Sequence, residues 1–166
     1  MTPPRFVLRL GKEDFKFSVA HFTVFSDQIA EDLHGHNYRV RVEIAGAGTD
    51  QLGLLLDLRD IKAEIRRLCA ELDSKTLVPQ HSPLVSVATV EGGYEVRYGA
   101  RLYRLPTADV KTLPIRNTSI EELAAWFWRM LRPSLVGSPI DELRVEVEET
   151  AGQSCLYSAS LEDRPT

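Results

Sequence analysis

The sequence predicts an α+β fold in which two helices pack on one face of a mainly antiparallel β-sheet. Three observations predict it. Apolar and polar residues alternate near both ends of the chain, in residues 5–22, 34–45, 141–150 and 153–162. Two inner segments change to a 3.6-residue spacing. Between those segments, a valine- and tyrosine-rich stretch, residues 85–106, is broken by Gly92-Gly93 and reads as a β-hairpin.

Taken in order, "RFVLRLGKEDFKFSVAHF" (5–22) holds two strands, the second with Phe15, Phe17, Val19 and His21 on one parity. In "HGHNYRVRVEIA" (34–45), His34, His36, Tyr38, Val40, Val42 and Ile44 share a face opposite Asn37, Arg39, Arg41 and Glu43. "GAGTDQLG" is a turn cluster, after which Asp57 is placed to cap a helix with a stripe of Ile61, Ile65, Leu68 and Leu72. The 85–106 hairpin follows, with room for a third strand after Gly99. A second helix spans about 119–132, with Thr118 and Glu121 or Ser119 and Glu122 as a capping box and Pro133 as its stop. Its Leu123, Ala124, Phe127 and Leu131 face the core. Two strands joined at Ala151-Gly152 close the chain.

A chain of 166 residues with 43% hydrophobic and 27% charged residues fits one globular domain, 1–166. The net charge of −4 leaves no basic footprint for a nucleic-acid partner. Its two cysteines, Cys69 and Cys155, form no C-x-x-C pair, which suits a reducing compartment. No apolar run reaches membrane-spanning length, and "MTPPRFVLRLGKEDF" lacks a signal-peptide core, so the expected location is cytoplasmic without a membrane partner.

The stretch "EDLHGHNYRV" carries the chemistry. Residues i and i+2 of a strand point the same way, so His34 and His36 can reach one ion, with Gly35 leaving room between them. His21 has the parity to join them from an antiparallel neighbour. Three neutral imidazoles and an open position suit a catalytic Zn²⁺. The residues alone also allow a chance His-x-His pair on a solvated strand end and a hydrogen-bonded structural His21.

"FSVAH", "HGHNYRVRVEIAG", "GLLLDLRDIK", "LDSKTL", "TSIEELAAWFW" and "VEVEET", in that order, resemble the 6-pyruvoyltetrahydropterin synthase / 6-carboxytetrahydropterin synthase family. The resemblance leaves out residues 85–106, which read as an insertion. It implies a tunnelling fold (T-fold), a homohexamer of two trimers, zinc held by His21, His34 and His36, and a pterin substrate. It further implies that Glu149, at the end of an apolar strand face, anchors the pterin. Ser119 and Glu121 match a segment near the pterin pocket, although helix capping explains the pair equally well.

Two departures shape the activity that the resemblance implies. The family's synthases carry a cysteine shortly before H-G-H, whereas this chain has Glu31 in E-x-x-H-G-H. That pattern resembles the family's glutamate variant, associated with cleaving dihydroneopterin to 6-hydroxymethyl-7,8-dihydropterin in folate biosynthesis. The family's "LDH" is here "LDSK": Asp73 remains as a supporting acid, and Ser74, which cannot titrate near neutrality, replaces the histidine. His81 is a surface-loop histidine or a late entrant to the site. The expectation is a zinc-dependent lyase with Glu31 handling the proton. The alternatives are a 6-pyruvoyl- or 6-carboxy-tetrahydropterin synthase acting on dihydroneopterin triphosphate, and a pterin-binding paralogue without turnover.

Overall fold

The computed structural model describes residues 5–161. Residues 1–4 and 162–166, the two ends of the domain expected over 1–166, lie outside them. The chain runs β1 (Phe6–Leu10), β2 (Lys16–His21), β3 (His34–Gly46), α1 (Arg59–Leu72), β4 (Lys75–Pro79), β5 (Ser86–Val90), β6 (Gly93–Tyr98), β7 (Arg101–Pro106), β8 (Val110–Leu113), α2 (Ile120–Leu131), β9 (Ile140–Thr150) and β10 (Gln153–Ser160).

The long strand β3 organises the main sheet, whose order is β10-β9-β3-β2-β4-β8. One edge of β3 pairs with β9 from Arg39 to Gly46. Its other edge is shared: β2 covers the N-terminal half and β1 the C-terminal half, both antiparallel. The period-two reading holds residue by residue. Tyr38, Val40, Val42 and Ile44 are buried, and so are Phe15, Phe17, Val19 and His21. The T-fold and the α+β class are both borne out.

The sheet is mainly antiparallel, as expected, and becomes parallel at one edge, where β4 joins β2 and β8 joins β4. These strands have five and four residues, too few for alternation to stand out beside Pro79 and Pro114. They pair because Ser18 on β2 is clamped. Its N–H donates to the Asp73 carboxylate at 2.7 Å, and its carbonyl accepts from the Ser74 N–H at 2.7 Å. Ser74 makes that turn at φ +60°, a left-handed conformation that is uncommon for a side chain other than glycine.

Both helices lie over the buried face of the main sheet. Ile61, Ile65, Leu68 and Leu72 of α1 are buried as the stripe predicts. Leu58 occupies the cap position of α1, and Asp57 serves from one residue earlier by accepting the Arg59 N–H at 3.0 Å. Ser119 caps α2 by accepting the Glu122 N–H, but the capping box is half made: the Glu122 carboxylate turns to Arg116. Phe17 stacks on Tyr38 at 5.0 Å and meets Phe127 at 5.7 Å. Trp128, 1% exposed, donates its indole N–H to the Leu143 carbonyl at 2.9 Å. Trp128→Ala is expected to cost about 3–5 kcal/mol of stability through the cavity it opens, measured from the urea midpoint.

Residues 85–106 form a separate three-stranded sheet, β5-β6-β7, so the third strand after Gly99 is present. The first turn is Glu91-Gly92 rather than Gly92-Gly93. Gly93 opens β6, where a Cβ would stand 2.0 Å from the Leu105 carbonyl oxygen. This second sheet has its own apolar cluster, in which Val96 and Tyr98 pack with Phe22, Val78 and Val85. It therefore lies against the residues that follow β2. No helix of the described residues is long and apolar enough to cross a membrane.

Candidate active site

The register of β2 on β3 sets His21 directly opposite His34, and His36 follows two residues on along the same face. The three rings cluster with centroids 4.7 Å (His21–His34), 5.4 Å (His21–His36) and 4.7 Å (His34–His36) apart. Their candidate ligand nitrogens all lie within 4.8 Å of one another. Gly35 keeps the strands close, since a Cβ there would stand 3.3 Å from the Val19 carbonyl oxygen.

Backbone carbonyls set the tautomers of two of the rings. His21 Nδ1 lies 3.1 Å from the Thr118 carbonyl and His34 Nδ1 lies 2.7 Å from the Asp32 carbonyl. Donation there leaves each Nε2 as a lone pair aimed at the cluster, an outer-shell arrangement that orients metal-ligating histidines. His34 Nε2 and His36 Nε2 are only 2.9 Å apart. His21 is fully buried, and that burial pushes its pKa below the ordinary value, keeping it in the neutral form a metal requires. The donor set fits a divalent metal that accepts nitrogen ligands.

Two residues beyond the sequence-based set complete this shell. The Tyr38 hydroxyl donates to Glu149 Oε1 at 2.6 Å and lies 3.0 Å from His21 Nε2. Burial, then the Glu149 carboxylate, raises the Tyr38 pKa, so the phenol keeps its proton. Thr118 holds the other side of His21, and its hydroxyl donates to the Phe22 carbonyl at 2.8 Å. Tyr38 shares the histidines' parity and was visible in the sequence only as a core residue. The local sequence marks Thr118 only as a capping candidate, because its role here comes from a carbonyl 97 residues away from the ring it orients.

Glu149 is brought to the cluster: Oε1 lies 3.3 Å from His21 Nε2 and 3.8 Å from His36 Nε2. A cleft of about 780 Å³ opens beside it, lined among others by Ser18, His36, Asn37, Ser74, Lys75 and Glu149. Glu31 lies on the loop between β2 and β3, three residues before His34, and its Oε2 accepts the Thr23 N–H. Burial works to raise its pKa, but hydrogen bonds from the Thr23 N–H, 2.9 Å from Oε2, and from the Thr23 side chain outweigh it, leaving the value below that of an ordinary glutamate. Glu31 is therefore ionised at neutral pH.

The remaining expected site residues make no contact with the three histidines. Asp73 holds the Ser18 main chain at the edge of the cleft. Ser119 caps α2, and Glu121 is exposed in its first turn. His81 is exposed, with its N–H donating to the Ile115 carbonyl at 3.0 Å. Neither cysteine is near. Cys69 is buried in α1 with its thiol pushed up to about 12 by burial, and Cys155 lies on β10.

Residues 10–160 match the family described as 6-pyruvoyl tetrahydropterin synthase. The chain belongs to that family. Members of the family are lyases acting on pterins. A Methanocaldococcus jannaschii protein provisionally named a 6-carboxy-5,6,7,8-tetrahydropterin synthase is 31% identical over 150 residues, covering 89% of this chain and 91% of that one. The Haemophilus influenzae 6-carboxy-5,6,7,8-tetrahydropterin synthase is 25% identical, over 76% of this chain and 83% of its own. Among solved structures, the Plasmodium vivax 6-pyruvoyl tetrahydropterin synthase superposes with a TM-score of 0.88 at 25% identity, covering 95% of this chain and 99% of that one. The expected family is thus the right one.

Proposed function

We propose that this protein is a zinc-dependent lyase that cleaves the side chain of dihydroneopterin, or its phosphate, to 6-hydroxymethyl-7,8-dihydropterin. The observation that carries the reading is the acid–base group beside the three histidines. It is a carboxylate, Glu31, while both thiols of the chain lie elsewhere in protonated form.

His21, His34 and His36 hold the ion in this reading, and Zn²⁺ when bound supplies Lewis-acid charge to the side-chain oxygens of the substrate. Glu31 accepts the proton of the second side-chain hydroxyl. The bond between the first and second side-chain carbons then breaks, the second carbon leaves as an aldehyde, and the electron pair moves into the pterin ring. Glu31 returns the proton to the first carbon, so the cycle ends with the carboxylate restored. Glu149 anchors the pterin by accepting two parallel N–H bonds from its amino group and ring nitrogen. Asp73 supports the cleft by accepting the Ser18 main-chain N–H and the Ser74 hydroxyl. Ser119 and Glu121 contribute only if a neighbouring copy in a homohexamer brings them to the pocket. The reading places the reaction in the cytoplasm and in folate synthesis.

A synthase acting on dihydroneopterin triphosphate is the second reading, favoured by the 6-carboxy names of two relatives. Chromatography separates the two readings. Zinc-loaded protein is expected to convert dihydroneopterin or its phosphates to 6-hydroxymethyl-7,8-dihydropterin and a two-carbon aldehyde. Loss of triphosphate with a 6-pyruvoyl or 6-carboxy product would establish the synthase instead, and tight pterin binding without product would establish a non-catalytic protein.

A further inference from the structure

Glu31 stands on residues 22–33, a segment whose regular pairing is a single bridge between Val24 and Ala30. A carboxylate on such a loop holds a reactive position only where neighbouring elements fix its main chain. One flank is gripped from the segment that leads into α2. Asn117 accepts the Val24 N–H at 3.1 Å and donates to the Val24 carbonyl at 2.8 Å. The other flank is gripped by the second sheet. The Tyr98 hydroxyl donates to the Ser26 carbonyl at 2.8 Å, and the Phe22 ring lies 5.5 Å from Tyr103. Arg101, the first residue of β7, donates from Nη1 to the Glu31 carbonyl at 2.6 Å and from its other terminal nitrogen faces Asp32 Oδ1 at 3.2 Å.

We propose that the second sheet serves the reaction by bracing the Glu31 loop, with Arg101 as the positioning residue. The proposal rests on the assignment of proton transfer to Glu31. Arg101 takes the carbonyl of Glu31 while the Thr23 N–H takes its carboxylate, so the guanidinium fixes the point from which the side chain extends and leaves the carboxylate ionised. The pair with Asp32, which is 96% exposed, contributes little stability by itself. Its role is orientation: a second contact gives the planar guanidinium fork one direction from which to meet the carbonyl. The strand that supplies Arg101 is held in turn by its ladder with β6, from Gly93↔Pro106 to Tyr98↔Arg101. The brace therefore ends on a paired sheet and not on another loop.

The test uses full-length, metal-loaded protein with Arg101→Met, which keeps the aliphatic stem without donors, Arg101→Lys, and Glu31→Gln. Turnover is measured on dihydroneopterin or its triphosphate, whichever the parent protein consumes, together with hydrogen–deuterium exchange over residues 22–33. Arg101→Met is expected to lower kcat by about 10–100-fold, the scale of a misplaced catalytic group, with KM within about twofold. Exchange at the Thr23 and Glu31 amides should quicken, while the β3–β9 amides and the metal content stay unchanged. Arg101→Lys should restore part of kcat. Parent-like turnover or unchanged Thr23 exchange in Arg101→Met, with Glu31→Gln inactive, overturns the proposal and leaves Glu31 in place. Loss of metal, or faster exchange across β3–β9, marks a general structural role and also overturns it. A fully active Glu31→Gln removes the assignment on which the proposal stands.

Discussion

Glu31→Gln is expected to lower kcat by about 10²–10⁴-fold, the usual contribution of a positioned acid–base group. Glutamine keeps the length and one acceptor oxygen, so it can still take the Thr23 N–H that fixes the loop. What it loses is the ability to receive and return a proton. Metal content and the thermal midpoint should match the parent protein, and pterin affinity should change little, because Glu149 provides the anchor in this reading. The measurement is single-turnover product formation alongside metal analysis. Parent-like turnover would remove Glu31 from the chemistry and return attention to the synthase reading.

The second large effect is expected from His36→Ala. His36 is only half-buried and sits at the cleft, so its truncation disturbs the core less than loss of fully buried His21 would. Changing an outer-shell partner of a metal ligand typically lowers metal affinity by about 10–100-fold, and removal of a ligand should exceed that. After dialysis, the variant should retain little of the roughly one zinc per chain expected of the parent, with turnover lost in step. Its far-UV circular dichroism should be unchanged, since β2 and β3 pair through main-chain bonds that the substitution leaves intact. A variant that binds zinc as tightly as the parent would show that the three imidazoles do not form the site.

Much of this architecture is legible in the sequence, because β3 and β9 are long and alternate between a buried and a more exposed face. Their apolar parity places Val40, Val42, Val145 and Val147 without knowledge of partners. The same parity put His34 and His36 on one side. The helices were legible for a similar reason, their stripes being wide and their ends marked by Asp57 before α1 and by Ser119 and Pro133 around α2. The strands β4 and β8 were not legible, since four or five residues carry too few periods, and their pairing depends on the Asp73–Ser74 turn meeting Ser18 from another part of the chain. Arg101 was invisible for a related reason: its partner is a carbonyl, and carbonyls leave no mark on residue identity.

Residue order and chemistry were enough to say which side chains face inward, which histidines share a strand face, and that Glu31 and no cysteine stands just ahead of the His-Gly-His run. Those are properties of local periodicity and side-chain chemistry, set within a few residues of each position. Tertiary structure alone decided that His21 stands opposite His34, that the Thr118 and Asp32 carbonyls turn two Nε2 atoms inward, and that Arg101 grips the loop bearing Glu31. Each of these is a hydrogen-bond register whose geometry exists only once the strands and loops have packed.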